Sequence, residues 1–120
     1  MKLIITSMGD SLDSEVDQRF GRAKNFILFD TEKEKFSVVD NQQSLNMQSG
    51  AGVQAAQNII NSGAEVLLTS NVGPKAYQVL SAAGIKIFLG AKGKIKDAIN
   101  DFKEGNLKEA TEANVVGHWV

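Results

Sequence analysis

The sequence contains no cysteine and only one histidine, one proline, one tryptophan and one tyrosine in 120 residues. Without thiols the chain forms no disulfide, has no thiolate nucleophile and supplies no cysteine ligand to zinc or to an iron–sulfur cluster. The single imidazole is His118, which leaves no convincing serine–histidine–carboxylate triad. Chemistry at sulfur is therefore excluded, and a triad hydrolase is disfavoured.

An excess of one charge and a long apolar run are also missing. The 13 Lys and Arg residues against 14 Asp and Glu give a net charge of -1, so no overall field attracts nucleic acid or an anionic membrane. No apolar segment approaches the roughly 20 residues of a membrane span. The short apolar run before Ser7 lacks a secretory cleavage site, so we predict a cytoplasmic protein. A small neutral molecule, an anion bound at a local site and another protein remain as expected kinds of partner.

A metal-dependent phosphate-ester enzyme is the weakest interpretation. Such enzymes cluster several carboxylates at strand ends to hold two metal ions. Here Asp40 stands alone after one apolar run, and Glu65 precedes another, at the wrong end of the predicted strand. We therefore predict that the protein is not an enzyme.

The first half of the chain predicts three strands around an irregular loop. Residues 3–5 are consecutively apolar, which is typical of a strand buried on both faces. The runs 25–30 and 35–40 are aromatic and β-branched and flank a short charged turn, so we predict an antiparallel hairpin. Residues 7–24 show neither strand nor helix periodicity, and such a long loop in a small domain is often functional.

The second half alternates helical and strand patterns. In three segments, apolar residues recur at helical spacing and the segment ends at a glycine, so we predict three helices. The second of these helices begins at the only proline of the sequence. In the first helix, Val53, Ala56 and Ile60 form the predicted buried face. The apolar runs 65–69 and 85–89 between the helices are predicted strands.

This order predicts an α/β fold with a mixed five-stranded sheet in the order 3-2-1-4-5 and three helices. Hairpins pair antiparallel, whereas strands joined through a helix pair in parallel. We predict one domain over residues 1–107 and a tail over 108–120. Connections leave strands one and four in different directions, which opens a crevice beside their carboxyl ends. Segments 7–10, 49–52 and 70–73 are expected to converge there.

The segment 17–22 places two arginines, Arg19 and Arg22, around an aromatic residue and a glycine. Guanidinium groups suit oxyanions, and glycine lets backbone N–H groups approach a ligand closely. Alternatively, Asp17 pairs with one arginine while Phe20 anchors the loop in the core. Both interpretations remain open at the level of sequence.

Two predicted helix N-termini face the same crevice. Gly50 and Gly52 open the first helix, and Gly73 opens the second with Lys75 in its first turn, so both could hold an anion. The first pair lacks the third glycine and the preceding strand of a dinucleotide fingerprint. Ordinary packing and a solvated lysine are the alternatives. Met8 is a soft ligand by type, although methionines commonly fill cores.

Three of these segments together resemble the dinitrogenase iron–molybdenum cofactor family. They are residues 17–23 (DQRFGRA), 50–56 (GAGVQAA) and 72–76 (VGPKA), and the likeness extends to about Leu107. The resemblance implies a ribonuclease-H-like α/β fold with the strand order predicted above. It also implies a non-catalytic role in binding or carrying iron–sulfur precursors of the nitrogenase cofactor.

The chain departs from the family pattern at two positions. Many members place a histidine just before the glycine pair, where this chain has Ser49, and others carry cysteine or histidine in a tail that here offers only His118. The resemblance then implies an anionic iron–sulfur or iron–molybdenum cluster held by backbone N–H groups and arginines. A protein–protein interaction module without a cluster is the alternative. The predicted cofactor-binding residues are Met8, Gly9, Arg19, Phe20, Gly21, Arg22, Ser49, Gly50, Gly52, Asn71, Gly73 and Lys75, and the predicted metal ligand is His118.

Overall fold

The computed structural model describes residues 1–42, 47 and 49–114, and the elements named within these residues are six strands and three helices. The strands are β1 (Lys2–Ser7), β2 (Asn25–Asp30), β3 (Lys35–Asp40), β4 (Val66–Leu68), β5 (Lys86–Leu89) and β6 (Lys108–Glu109). The helices are α1 (Ala51–Ser62), α2 (Pro74–Ala82) and α3 (Ile95–Lys103). Across the described residues, no helix is long and apolar enough to cross a membrane.

The sheet has the order β3-β2-β1-β4-β5-β6, which confirms the predicted order 3-2-1-4-5 and adds one strand. β1 pairs antiparallel with β2 and in parallel with β4, and β2–β3 is the predicted hairpin. The added strand β6 is short and pairs antiparallel with Phe88 and Leu89 at the far edge. It lies in the segment predicted as a tail, where charged residues gave no apolar run to indicate a strand.

β1 occupies the centre of the sheet because its side chains are buried on both faces. Ile4 packs in the core beneath α1 and α2, whereas Leu3 and Ile5 pack in the core beneath α3. All three are fully buried. The consecutive apolar pattern therefore marked the central strand correctly.

The buried face of α1 matches the predicted one in part. Ala56 is fully buried and Ile60 packs, partly buried, against the core, as predicted, whereas Val53 is 38% exposed. Ala55 and Ile59 are also fully buried, and the helix packs against α2 through this face, so Val53 lies on the outer side. Val53 was predicted as buried because the spacing of apolar residues alone does not distinguish the inner from the outer side of this helix.

The long loop between β1 and β2 is anchored against the start of α3. The N–H groups of Ile95 and Lys96 donate to the carbonyl oxygens of Ser14 and Leu12, at 2.9 and 3.0 Å. The Lys96 Nζ lies 2.9 Å from the Asp13 carboxylate. The hydrogen bond and charge of Lys96 lower the pKa of the Asp13 carboxyl group below its usual value.

Phe20 provides the second anchor of this loop. Its side chain is fully buried in the core beneath α1 and α2, with its ring centroid 6.2 Å from that of Phe26. The interpretation of Phe20 as a core anchor is therefore confirmed. Phe20 was also a predicted cofactor-binding residue, but its ring is fully buried and has no exposed surface for a ligand to contact.

Replacing Phe20 with alanine should lower the free energy of unfolding by about 3–5 kcal/mol, because it removes a buried ring and leaves a cavity. Phe36→Ala is the matched control, since that ring is 42% exposed on β3 and should cost less than about 1 kcal/mol. Denaturant unfolding of both variants measures the difference. Equal losses would contradict the anchoring role of Phe20.

The Asp13–Lys96 pair predicts a dependence of stability on pH. Because the folded-state pKa of Asp13 is lowered, its contribution is present above the ordinary carboxyl pKa and is lost as pH falls through the lowered value. An NMR titration of the Asp13 side chain should show a depressed pKa in the wild type that returns to its ordinary value in Lys96→Met. An unchanged pKa in that variant would show that Lys96 is not the cause.

Candidate functional site

The candidate site lies where the carboxyl ends of β1 and β4 meet. These neighbouring parallel strands end in a pair of buried threonines, whose hydroxyl oxygens, in Thr6 and Thr69, are 3.1 Å apart. The Thr6 hydroxyl also donates to the backbone oxygen of Asp17 at 2.8 Å. This bond places residues 17–22, called the arginine loop below, directly at the strand ends.

A second segment, residues 69–73 after β4, is bonded to the arginine loop. The Asn71 side-chain amide donates to the backbone oxygen of Gln18 at 3.1 Å. We refer to residues 69–73 as the β4 loop. Since Asn71 was a predicted site residue, the structure brings it together with the arginine loop as the topology required.

A third segment at this edge, residues 90–94 after β5, was missed from the sequence. The Ser70 hydroxyl donates to the backbone oxygen of Ala91 at 2.6 Å, which brings the exposed Lys92 beside the β4 loop. The predicted topology could have indicated this segment, because β5 pairs in parallel with β4 and the carboxyl ends of both strands lie at the same edge of the sheet. Gly90 and Gly93, both with positive φ, shape this connection.

Arg19 is the more accessible arginine of the loop. Its Nε lies 3.5 Å from Oδ1 of Asp17, whose side chain is only 5% exposed, while the Arg19 side chain is 61% exposed. The backbone N–H of Arg19 donates to the same Oδ1 at 2.9 Å. The predicted pairing with Asp17 is therefore present, yet most of the Arg19 side chain remains accessible to a ligand.

Arg22 has a structural partner instead. Its Nη1 donates to the backbone oxygen of Met47 at 2.6 Å, and the side chain is half-buried. Met47 precedes α1 by only a few residues, so Arg22 holds the entry to that helix. The two arginines, equivalent by spacing, thus have different surroundings.

Gly21 packs directly on the first turn of α1. A Cβ atom at this position would lie 2.8 Å from the backbone nitrogen of Gly52 and 3.0 Å from the carbonyl carbon of Ala51. Only glycine permits such a backbone approach. The glycine predicted for ligand access therefore serves contact between the arginine loop and α1, and Gly50 enters the helix with a φ of 77°.

The helix N-termini differ in whether their N–H groups are already used. Within the described chain, the backbone N–H groups of residues 51–53 in α1 and 75–76 in α2 have no acceptor. Neither first turn contains an acidic residue. In α3, by contrast, the loop carbonyl oxygens of Leu12 and Ser14 already accept the N–H groups. Among the helices that the structure describes, only α1 and α2 begin with N–H groups that lack a protein acceptor at the positive ends of their dipoles.

The remaining predicted residues lie around these groups. Met8, after β1, is 55% exposed, and the Gly9 backbone oxygen accepts a hydrogen bond from the Asn25 side chain at 3.2 Å. Ser49 is exposed before α1, and Gly73 is buried before α2. His118 lies outside the described residues. In the described part of the chain, no three His, Cys, Asp or Glu side chains come together as a metal site.

Together these features define a small α/β domain with N–H donors and cationic side chains at the carboxyl edge of the sheet, where the described residues form no cluster of metal ligands. The dinitrogenase iron–molybdenum cofactor family matches residues 1–105, and the chain belongs to that family. The family is associated with the iron–molybdenum cofactor of dinitrogenase.

The chain is also similar to solved structures and to a curated relative. The apo form of the orange protein of Desulfovibrio gigas is 42% identical, with a TM-score of 0.92 over 95% of this chain and 96% of its own. A Thermotoga protein provisionally described as NifB is 38% identical, with a TM-score of 0.82 over 95% of this chain and 97% of its own. An uncharacterised protein of Methanocaldococcus jannaschii is 28% identical over 100 residues, which are 81% of this chain and 84% of the relative.

Replacing Gly21 with alanine should displace the first turn of α1 and lower the free energy of unfolding by about 1–3 kcal/mol. Gly84→Ala is the control, because a Cβ there meets no atom within 4 Å although its positive φ strains the backbone. The Ala51 and Gly52 amide resonances should shift only in Gly21→Ala. Unchanged resonances would mean that the loop, and not the helix, yields to the added methyl group.

Proposed function

We propose that this protein is a non-catalytic carrier or sensor of an anionic metal–sulfur cluster of the iron–sulfur or iron–molybdenum type, bound as cargo. The observation that carries the proposal is the pair of open helix N-termini, in α1 and α2, beside the exposed side chain of Arg19. Each supplies positive potential or N–H donors to the same edge of the sheet. The overall charge of -1 makes this local arrangement the source of attraction.

The donor set favours electrostatic and hydrogen-bonded recognition over coordination. The chain has no thiolate, and its described residues hold no cluster of metal-ligating side chains. Backbone N–H groups and a guanidinium suit the outer sulfide or oxo atoms of a cluster that already has its own metal–ligand bonds. Such a cargo can be released without breaking a bond from metal to protein.

The absence of catalysis is part of the proposal. The described residues bring no three Asp, Glu, His or Cys side chains together, so they offer no cluster to hold the metal ions of a phosphate-ester enzyme. The single histidine, His118, leaves no convincing serine–histidine–carboxylate triad. No turnover is therefore expected with phosphodiester, phosphomonoester or carboxylic ester substrates.

Anaerobic titration with tetrathiomolybdate, a small dianion containing molybdenum and sulfide, tests this proposal. The wild type should bind it, and Arg19→Ala should weaken binding about tenfold or more, because one charge-assisted hydrogen bond contributes roughly 1.5–3 kcal/mol. Lys33→Ala is the charge-matched control, since Lys33 lies in the β2–β3 turn at the opposite edge of the sheet. It should bind like the wild type.

His118→Ala separates hydrogen-bonded recognition from coordination. Unchanged affinity in this variant supports the crevice, whereas loss of binding in His118→Ala with full binding in Arg19→Ala would assign the cargo to a histidine ligand. If the wild type binds neither tetrathiomolybdate nor a synthetic iron–sulfur cluster, the carrier proposal is wrong and the interaction module takes its place.

A further inference from the structure

Asn114 connects the C-terminal segment to the candidate site. Its Oδ1 accepts the backbone N–H of Val72 at 2.7 Å, and its own N–H donates to the Val72 carbonyl at 3.2 Å. Its Nδ2 lies 3.3 Å from the backbone oxygen of Ser70 and 3.2 Å from Oδ1 of Asn71. One residue therefore bonds three consecutive residues of the β4 loop, which come 42 to 44 positions earlier in the chain.

Asn71 extends this contact to the arginine loop. Its Oδ1 accepts from Asn114, while its Nδ2 donates to the backbone oxygen of Gln18 at 3.1 Å. Gln18 directly precedes Arg19. The two amides thus form a chain from the C-terminal segment to the residue beside the exposed guanidinium.

The same contact reaches the open end of α2. Val72 is fully buried and precedes Gly73, the N-cap of that helix. By accepting the Val72 N–H, Asn114 fixes the peptide immediately before the cap. The Asn114 side chain is therefore bonded next to two groups that the proposed function uses. It contacts the α2 N-terminus through Val72 and the residue before Arg19 through Asn71.

We propose that Asn114 is a positioning residue of the anion site, which holds the β4 loop and the arginine loop in the arrangement that binds the cargo. This inference rests on the proposed function. A neutral amide is suited to the role because it accepts from one N–H while donating to two oxygens. A carboxylate would keep the acceptor but face the oxygens of Ser70 and Asn71 without a proton to donate.

The proposal predicts a kinetic signature. In Asn114→Ala the two loops separate more readily around a bound anion, so the dissociation rate for tetrathiomolybdate should rise about tenfold. The association rate should change little, because Arg19 and the chain's other charges are retained. Asn114→Asp should show the same rise, since it removes the donor to Asn71 and adds a negative charge near the site.

Asn106→Ala is the matched control, because Asn106 is an exposed asparagine whose amide lies 3.4 Å from Glu104 in the turn after α3. It should dissociate at the wild-type rate. A chain that ends at Asn114 with an amidated C-terminus should do the same, because it keeps the contacts of Asn114 and adds no carboxylate beside them. Amide hydrogen exchange at Val72 should accelerate in Asn114→Ala and not in either control.

Stopped-flow binding at a temperature where all variants remain fully folded gives outcomes that separate the two proposals. If the wild type binds tetrathiomolybdate and both Asn114 variants release it at the wild-type rate, the positioning role alone is wrong. The positioning role is also wrong if removal of residues 115–120 raises the dissociation rate as much as Asn114→Ala does, because the effect would then belong to those residues. Failure of the wild type to bind would overturn the proposed function and this role together.

A double-mutant cycle adds a readout that simple loss of stability does not move. If Asn114 acts on Arg19 through Asn71, then Asn114→Ala should have a smaller effect on the dissociation rate in an Asn71→Ala background. Fully additive effects would contradict transmission through the Asn71 amide.

Discussion

The burial of β1 on both faces is the constraint on which the rest of the structure depends. A strand covered by α1 and α2 on one side and α3 on the other must lie inside the sheet. It pairs antiparallel with β2 on one side and in parallel with β4 on the other. The connections after β1 and β4 leave the carboxyl edge of the sheet in different directions, and the arginine loop and the β4 loop meet there.

The polar groups at this edge determine how rigid the crevice is. The hydroxyl groups of Thr6 and Thr69 lie within hydrogen-bond distance of each other, and that of Thr6 bonds to the arginine loop. The Asn71 amide joins the β4 loop to the backbone oxygen of Gln18 in the arginine loop, and Asn114 donates to Asn71. Each of these contacts is made by a neutral side chain. Most of the Arg19 side chain therefore stays accessible although it pairs with Asp17, whereas Arg22 is used by the scaffold through its bond to the backbone oxygen of Met47.

The three helices show how the same local feature acquires different roles. The first N–H groups of any α-helix lack acceptors within the helix, so all three helices begin with the same unpaired donors. The loop carbonyl oxygens of Leu12 and Ser14 occupy those of α3, so that helix serves to anchor the loop. The N–H groups at the starts of α1 and α2 have no such partner among the described residues. A helix N-terminus can accept a ligand only where the fold leaves its N–H groups without a protein acceptor.

Local patterns by themselves determined the three helices, the first five strands and their order, but not β6. Apolar runs, helical spacing, the proline at the start of α2 and the glycines after the helices depend on neighbouring residues, and they led to the strand order. Tertiary contacts alone decided the roles at the site. They buried Phe20, placed Gly21 against α1, gave Arg22 a carbonyl partner and brought Asn114 to the β4 loop. These roles depend on partners that are many residues away in the sequence. A side chain such as an arginine or an asparagine can bond to many chemically equivalent groups, and only the folded chain decides which of them lies within reach.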